Sequence, residues 1–212
     1  MHQSEKCPFN IIMELIVATK NKKKLEEIKE ILKELNLRIF SLADYPEGMP
    51  RIIENGNTFR ENAIKKAIKI AKFTGKLTLG EDSGLCCYAL GGKPGVYSSR
   101  FAGKDKSDRK NNLKLLKLLE GLPVMRRKAH YYCVVALADK NGLLGVAEGK
   151  CCGFIGFGLK GHFGFGYDPL FVIPKYKKTF AQLGPRIKHK MSHRFRALQK
   201  AKAILTTYLK SR

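Results

Sequence analysis

Leu79-Gly-Glu-Asp-Ser-Gly-Leu85 sets two adjacent carboxylates between apolar runs, with Gly91-Gly92 and Pro94-Gly95 beyond them. Residues 77–79 and 84–88 have the composition of short strand pieces. Neighbouring side chains on a strand point to opposite faces, but a strand end followed by Ser-Gly turns, and both carboxylates then converge. Magnesium prefers carboxylate and water oxygens, so one carboxylate can hold an ion while the other takes a proton from an attacking water. The competing reading is an exposed acidic turn. The apolar flanks disfavour it, in a chain with only 18 acidic residues. The glycines that follow let a phosphate chain approach the backbone.

Outward from this stretch, strands and helices alternate. Residues 11–18 form an apolar run with β bias, a buried first strand. From Asn21 the period changes, and Leu25, Ile28, Leu32 and Leu35 mark one face of a helix. Residues 37–42 read as a second strand and 44–57 as a loop rich in Pro, Gly and charge. Thr58-Phe-Arg-Glu61 has capping-box spacing and opens a helix that runs to Thr74, where Gly75 stops it. Asp108 caps a helix carrying Leu113, Leu116 and Leu119. Residues 130–138 and 143–151 pair as a hairpin across Lys140-Asn141-Gly142. Residues 153–166 are a Gly/Phe-rich loop, and 171–173 a short strand. Ser192 begins a last helix with Phe195, Leu198, Ala201 and Leu205 inward. The class is α/β. No repeat or long linker divides the chain, so residues 13–212 form one domain behind an N-terminal extension, residues 1–12.

The 212 residues, 44% hydrophobic and 28% charged, suit a globular chain with a full core. No apolar run is long enough to span a bilayer, and residues 1–10 lack the features of a signal peptide, which makes the cytoplasm the expected location. Cysteines at 7, 86, 87, 133, 151 and 152 include two vicinal pairs and no Cys-x-x-Cys, so they read as small buried hydrophobes. The net charge of +23 favours acidic partners, and no Asp or Glu follows Asp168.

Further residues have the chemistry that a nucleotide needs. Thr19, Lys20, Asn21, Lys22, Lys23 and Lys24 lie where the first strand becomes a helix, and a helix N-terminus presents free N–H groups to phosphate. The glycines of a Walker A loop are absent, and a solvated lysine-rich first turn is the bland alternative. Glu54, in a loop before Gly56, is a candidate metal ligand, whereas Glu61 has a capping role. Phe163-Gly-Phe165-Gly166-Tyr167-Asp168-Pro169 offers aromatic faces for a base and a carboxylate for a ring N–H, or else a core-packing loop. Lys188, His193 and Arg194 supply cations. His193 and Arg194, at the start of the last helix, could cap and solvate it or equally read a base edge.

In order and spacing, Ala18-Thr-Lys-Asn-x-x-Lys24, Glu54-x-Gly56, Thr58-Phe-x-Glu-Asn-Ala63-x-x-Lys66-Ala67, Glu81-Asp-Ser-Gly-Leu85, Leu90-Gly-Gly-x-Pro-Gly95, Tyr97-Ser-x-Arg100, Phe163 to Pro169, and Lys188 with Ser192-His-Arg194 resemble the inosine triphosphate pyrophosphatase family. The likeness runs from Leu15 to about Leu205. It implies a central mixed β-sheet with flanking helices, two lobes around a deep cleft, and usually a homodimer. It also implies magnesium-dependent hydrolysis of inosine, deoxyinosine and xanthosine triphosphates to a nucleoside monophosphate and pyrophosphate. Carried over, Thr19 to Lys24 would hold the phosphates and Asp82 would accept the proton. Glu54 with Glu81 or Asp82 would bind magnesium, and Ser83 and Lys66 would contact the triphosphate or its ion. Phe165, Gly166, Tyr167, Asp168, Lys188, His193 and Arg194 would hold base and sugar. The chain departs from the family pattern in having Lys20 for a glycine, Glu81 for an aspartate and Gln182 for a glutamate.

Two other readings compete. One is a basic nucleic-acid-binding protein, favoured by charge but lacking any RNP, KH or helix-turn-helix signature, so no specific nucleic acid is expected. The other is a pyrophosphatase of the related septum-inhibitor-like (Maf-like) fold acting on pyrimidine or methylated nucleotides.

Overall fold

The computed structural model describes residues 13–45 and 48–211. The N-terminal extension and Cys7 lie outside the described residues. Seven strands form one mixed sheet in the order β2-β1-β3-β4-β5-β6-β7. They are β1 (Met13–Val17), β2 (Leu37–Ser41), β3 (Thr78–Cys87), β4 (Lys128–Asp139), β5 (Gly142–Ile155), β6 (Phe171–Ile173) and β7 (Lys178–Thr179). β1 runs parallel to β2 and β3, and the remaining pairs are antiparallel. The helices are α1 (Lys22–Leu32), α2 (Phe59–Thr74), α3 (Asp108–Leu118), α4 (Phe180–Leu183), α5 (Pro185–Met191) and α6 (His193–Lys210). This is the expected α/β class with a mixed sheet.

The alternation along β3 organises the core. On one face Leu79 packs with Ile28 and Leu32 of α1 and Leu198 and Leu205 of α6. Further along that face Leu85 and Cys87 join Leu115, Leu119 and Phe171 in a second cluster. Glu81 and Ser83 fall between the two. The opposite face receives α2, whose Ala63, Ala67 and Ala71 lie against Val134, Ala136 and Ala138 of β4. Gly80 permits that approach: a Cβ there would sit 2.2 Å from the Ala63 carbonyl oxygen.

β3 corrects the reading of its own sequence. It is one continuous strand of 10 residues, not two pieces around a turn. Glu81 and Asp82 pair with Val135 and Val134 of β4, which keeps the backbone extended through the carboxylates. Their side chains therefore diverge to opposite faces. They reach one cavity for a different reason. β1 pairs with β3 only as far as Val17 and Leu79. Beyond that point no strand pairs with the β1 side of β3 until the Cys86–Pro94 bridge, and a cavity beside this unpaired stretch is accessible from both faces.

Other boundaries shift for local reasons. Ser107, not Asp108, caps α3, its side chain accepting from the Lys110 N–H. The buried face of α3 carries Asn111, Asn112 and Leu115, whereas Leu113 is half exposed. Thr58 accepts from the Glu61 N–H as expected, but the Glu61 carboxylate turns to the Asn57 N–H, so the box is only half formed. Leu198, Ala201 and Leu205 of α6 are fully buried, as the spacing required. Cys87, Cys133 and Cys151 are buried thiols, whereas Cys86 is half buried and Cys152 exposed; none of these five forms a disulfide.

Candidate active site

A cavity of about 540 Å³ opens beside the unpaired stretch of β3. Its first wall is the β1–α1 junction. Thr19 accepts from the Asn21 N–H at 3.1 Å, and Asn21 caps α1 by accepting from the Lys24 N–H at 3.2 Å. Thr19, Lys20, Asn21 and Lys24 line the cavity; Lys22 does not, and Lys23 faces a smaller neighbouring pocket. The helical turn separates them, because residues one and two after the cap point away from the face that Lys24 shares. Lys24 Nζ lies 2.9 Å from Glu81 Oε2.

Asp82 is buried on the α2 side. It accepts from Lys66 Nζ at 3.0 Å and from Asn62 Nδ2 at 3.2 Å. Lys66 also donates to the Glu81 carbonyl and lies 3.1 Å from Glu54 Oε2. Burial pushes the Asp82 carboxyl above the usual aspartate range, against the pull of Lys66 and Lys24. Burial would lower the Lys66 ammonium, but Asp82 and Glu54 outweigh it and hold its pKa above the usual value. Its charge is thus engaged by two carboxylates.

On the other face Glu81 accepts from Arg194 Nη2 at 3.1 Å and from the Cys133 thiol at 3.4 Å. Burial pushes the Glu81 carboxyl up, and Arg194 and Lys24 overcome it, holding it well below the carboxylate range. Arg194 Nη2 also donates to Ser83 Oγ, and Nη1 pairs with Glu27. This revises the expectation of a free arginine awaiting a base edge: both terminal nitrogens are committed, because a fully buried guanidinium requires carboxylates beside it. Burial again opposes the shift at Glu27, yet Arg194 and Lys188 lower its pKa to about 2.

The far wall is the loop at 163–168. Asp168 accepts from Lys188 Nζ at 2.6 Å and from the Phe165 N–H at 2.9 Å. Lys188 also reaches Glu27 Oε1 at 2.8 Å and lies 4.6 Å from the Phe165 ring centroid. His193 stacks on Tyr131 with ring centroids 4.5 Å apart and planes 8° from parallel. Burial, then Arg194 and Lys188, hold the imidazole pKa well down, so it is neutral. Gly166 and Tyr167 line the same wall.

Sequence reasoning missed Glu27, Asn62 and Tyr131. Glu27 had a signal: it adjoins Ile28 on the buried face of α1 although its neighbour Glu26 is solvated. Asn62 and Tyr131 had none, because polar side chains on buried faces look like pattern noise. Gln182, where the family pattern has glutamate, completes a capping box with Thr179 at the start of α4.

Among the described residues, no three His, Cys, Asp or Glu side chains come close enough to hold an ion unaided. The expected Glu81–Asp82 pair is divided by the strand. Glu54 and Asp82 instead share one ammonium, and that two-carboxylate set suits a magnesium ion that takes its other ligands from water and phosphate.

Residues 15–204 match the Ham1 family model. The chain belongs to the Ham1 family. A relative from Desulforamulus reducens named dITP/XTP pyrophosphatase is 52% identical over 193 residues, covering 91% of this chain and 96% of that one. A protein of the same name from Shouchella clausii is 48% identical over 87% of this chain and 92% of its own. Among solved structures, a HAM1 protein from Coxiella burnetii superposes with TM-score 0.83 at 39% identity, over 92% of this chain and 99% of that one. The Ham1 match is to the same family that the motif series indicated.

Proposed function

We propose that the protein hydrolyses inosine, deoxyinosine and xanthosine triphosphates between the α and β phosphates, releasing a nucleoside monophosphate and pyrophosphate. What supports it is the pairing, in one cavity, of a lysine-bearing helix start with an aromatic and carboxylate loop, and of Asp82 between them. The dITP/XTP pyrophosphatase names of the relatives at 41–52% identity agree with this. Lys24 and the N–H groups at the start of α1 bind phosphate. Phe165 and Asp168 receive the base. Asp82 takes a proton from a water whose oxygen bonds to the α-phosphorus while the bond to the bridging oxygen breaks and pyrophosphate departs. Glu54 and Asp82 would hold magnesium, which when bound spreads the negative charge of the phosphates. A cytoplasmic location and a homodimer belong to the same reading and rest on the family.

The test is pyrophosphate release from a panel of oxopurine, aminopurine, pyrimidine and methylated nucleoside triphosphates, with and without EDTA. Release from the three oxopurine nucleotides in magnesium, and none in EDTA, is expected. Turnover confined to pyrimidine or methylated nucleotides would overturn the assignment.

A further inference from the structure

Gly166, at the middle of the loop facing the base end of the cavity, is gripped on both sides by one helix. Its N–H donates to Asp108 Oδ2 at 2.7 Å, and its carbonyl accepts from Asn112 Nδ2 at 2.7 Å. Asp108 and Asn112 stand one turn apart on α3 and so share a face. The Gly166 N–H belongs to the peptide plane shared with Phe165, and its carbonyl to the plane shared with Tyr167. Fixing both planes fixes the directions in which Phe165 and Tyr167 leave the backbone. Gly166 holds φ +63°, which glycine adopts without strain, so the two bonds select one of the several conformations open to a glycine.

Two further observations bear on this contact. Asn112 is buried, and its amide also donates to the Asp108 carbonyl at 2.7 Å. Its Oδ1 is left buried without a hydrogen-bond partner among the described residues. An orphaned acceptor in a core is a cost that leucine would avoid, and such costs concentrate at functional positions. The helix is also tied to the next cavity wall. Asn111 donates to the Ser99 carbonyl at 3.1 Å and accepts from the Ala102 N–H at 2.7 Å. Tyr167 donates its hydroxyl to the Ser98 carbonyl at 2.9 Å. The start of α3 therefore sets the loop against the Gly95–Arg100 segment, whose Ser98 and Ser99 line the same cavity.

We propose that Asp108 and Asn112 are positioning residues that aim the 163–168 loop at the base and so set selectivity between oxopurine and aminopurine nucleotides. This rests on the function proposed above, in which that loop receives the base. A plain alternative is that Asp108 merely stabilises a helix start, where an acid is favourable. That role would change melting temperature and leave selectivity alone.

The experiment compares wild type with Asp108→Ala, Asp108→Asn, Asn112→Ala and, as a control on the exposed face, Arg109→Ala. Steady-state kinetics on inosine triphosphate and ATP are combined with hydrogen exchange of the backbone amides at 165–167. The two alanine variants should raise KM for inosine triphosphate about tenfold with kcat changed by less than about threefold, since looseness in a positioned site degrades recognition first. The selectivity ratio over ATP should shrink accordingly, and exchange at 165–167 should quicken. Asp108→Asn retains an oxygen acceptor and should recover most of the loss, and Arg109→Ala should match wild type. An unchanged ratio in Asp108→Ala and Asn112→Ala, whatever happens to melting temperature, would overturn the proposal. If wild type releases pyrophosphate from no oxopurine triphosphate, the parent reading fails; exchange rates that do not move then dispose of the clamp as well, and rates that rise establish it as a clamp on a loop of another specificity.

Discussion

Asp82 is held by Lys66 and Asn62 in a buried position, and burial raises its carboxyl above the ordinary aspartate range. Asp82→Asn preserves shape and removes the proton acceptor. Turnover should fall by about two to four powers of ten while nucleotide binding persists, as is typical when a general base is lost. In the proposed mechanism the reactive form is the carboxylate. kcat/KM should therefore rise with pH through a midpoint above the ordinary aspartate range and then level off. Wild-type turnover by the asparagine variant at saturating magnesium would remove Asp82 from the role. Arg194 makes a different prediction, because its guanidinium compensates Glu27 and Glu81 together. Arg194→Ala leaves Glu81 with Lys24 alone and Glu27 with Lys188 alone, and urea unfolding should show a loss of about 3 kcal/mol, the lower end for breaking a buried pair. Glu27 gives the sign with pH. Its folded pKa of about 2 lies below the unfolded carboxylate value, so its stabilisation is complete above roughly pH 4.5 and drains away as pH falls towards 2. Glu27→Gln should be less stable at neutral pH and lose less on acidification, as read by unfolding curves at pH 7 and pH 3. Asp82 was legible because a carboxylate among apolar residues is conspicuous, whereas Lys188 and His193, in a basic stretch, were marked by the motif series. Asn62 and Tyr131 were not, since their roles depend on what the fold brings opposite them.

At the scale of elements, periodicity located the long helices and the β4–β5 hairpin because their hydrophobic faces are wide. It failed at β3, where two carboxylates looked like a break. A strand tolerates them there because its β1 side is unpaired between Leu79 and the Cys86–Pro94 bridge and the charges meet cations rather than apolar side chains. The short helices α4 and α5 escaped notice, as segments of 4 and 7 residues carry too little pattern to register. Helix α2 carries Asn62 and Lys66 to Asp82, and Gly80 sets its distance from the sheet. Ala67 N would lie 2.6 Å from a Cβ at position 80, so Gly80→Ala must displace backbone. Overpacking of this type costs about 1–3 kcal/mol. Activity should fall further than that loss of stability explains, because Lys66 and Asn62 move with the helix. A Gly80→Ala enzyme that melts lower but keeps wild-type kcat at a temperature where it is fully folded would show that α2 placement is not critical to turnover.

The net charge of +23 is a property of the whole molecule, and most of the cations lie outside the cavity. The fold has no need of them: the described helices are held by apolar contacts, and exposed pairs such as Lys33–Glu30 contribute little. Their reach is through the solvent. A polyanionic substrate approaching a strongly positive body is steered towards it, and steering weakens as salt shortens the Debye length from about 30 Å at 0.01 M to about 8 Å at 0.15 M. kcat/KM for inosine triphosphate should therefore fall across that range with kcat nearly constant, since the chemistry takes place in a buried site that salt screens poorly. Random-sequence nucleic acid should compete at low salt and lose its effect at 0.15 M if the attraction is general. Inhibition that persists at 0.15 M with a steep salt slope would instead restore nucleic-acid binding as a function in its own right. A kcat/KM that ignores ionic strength would mean that the surface lysines do not assist the encounter, and that recognition of the phosphates begins only at Lys24 and the start of α1.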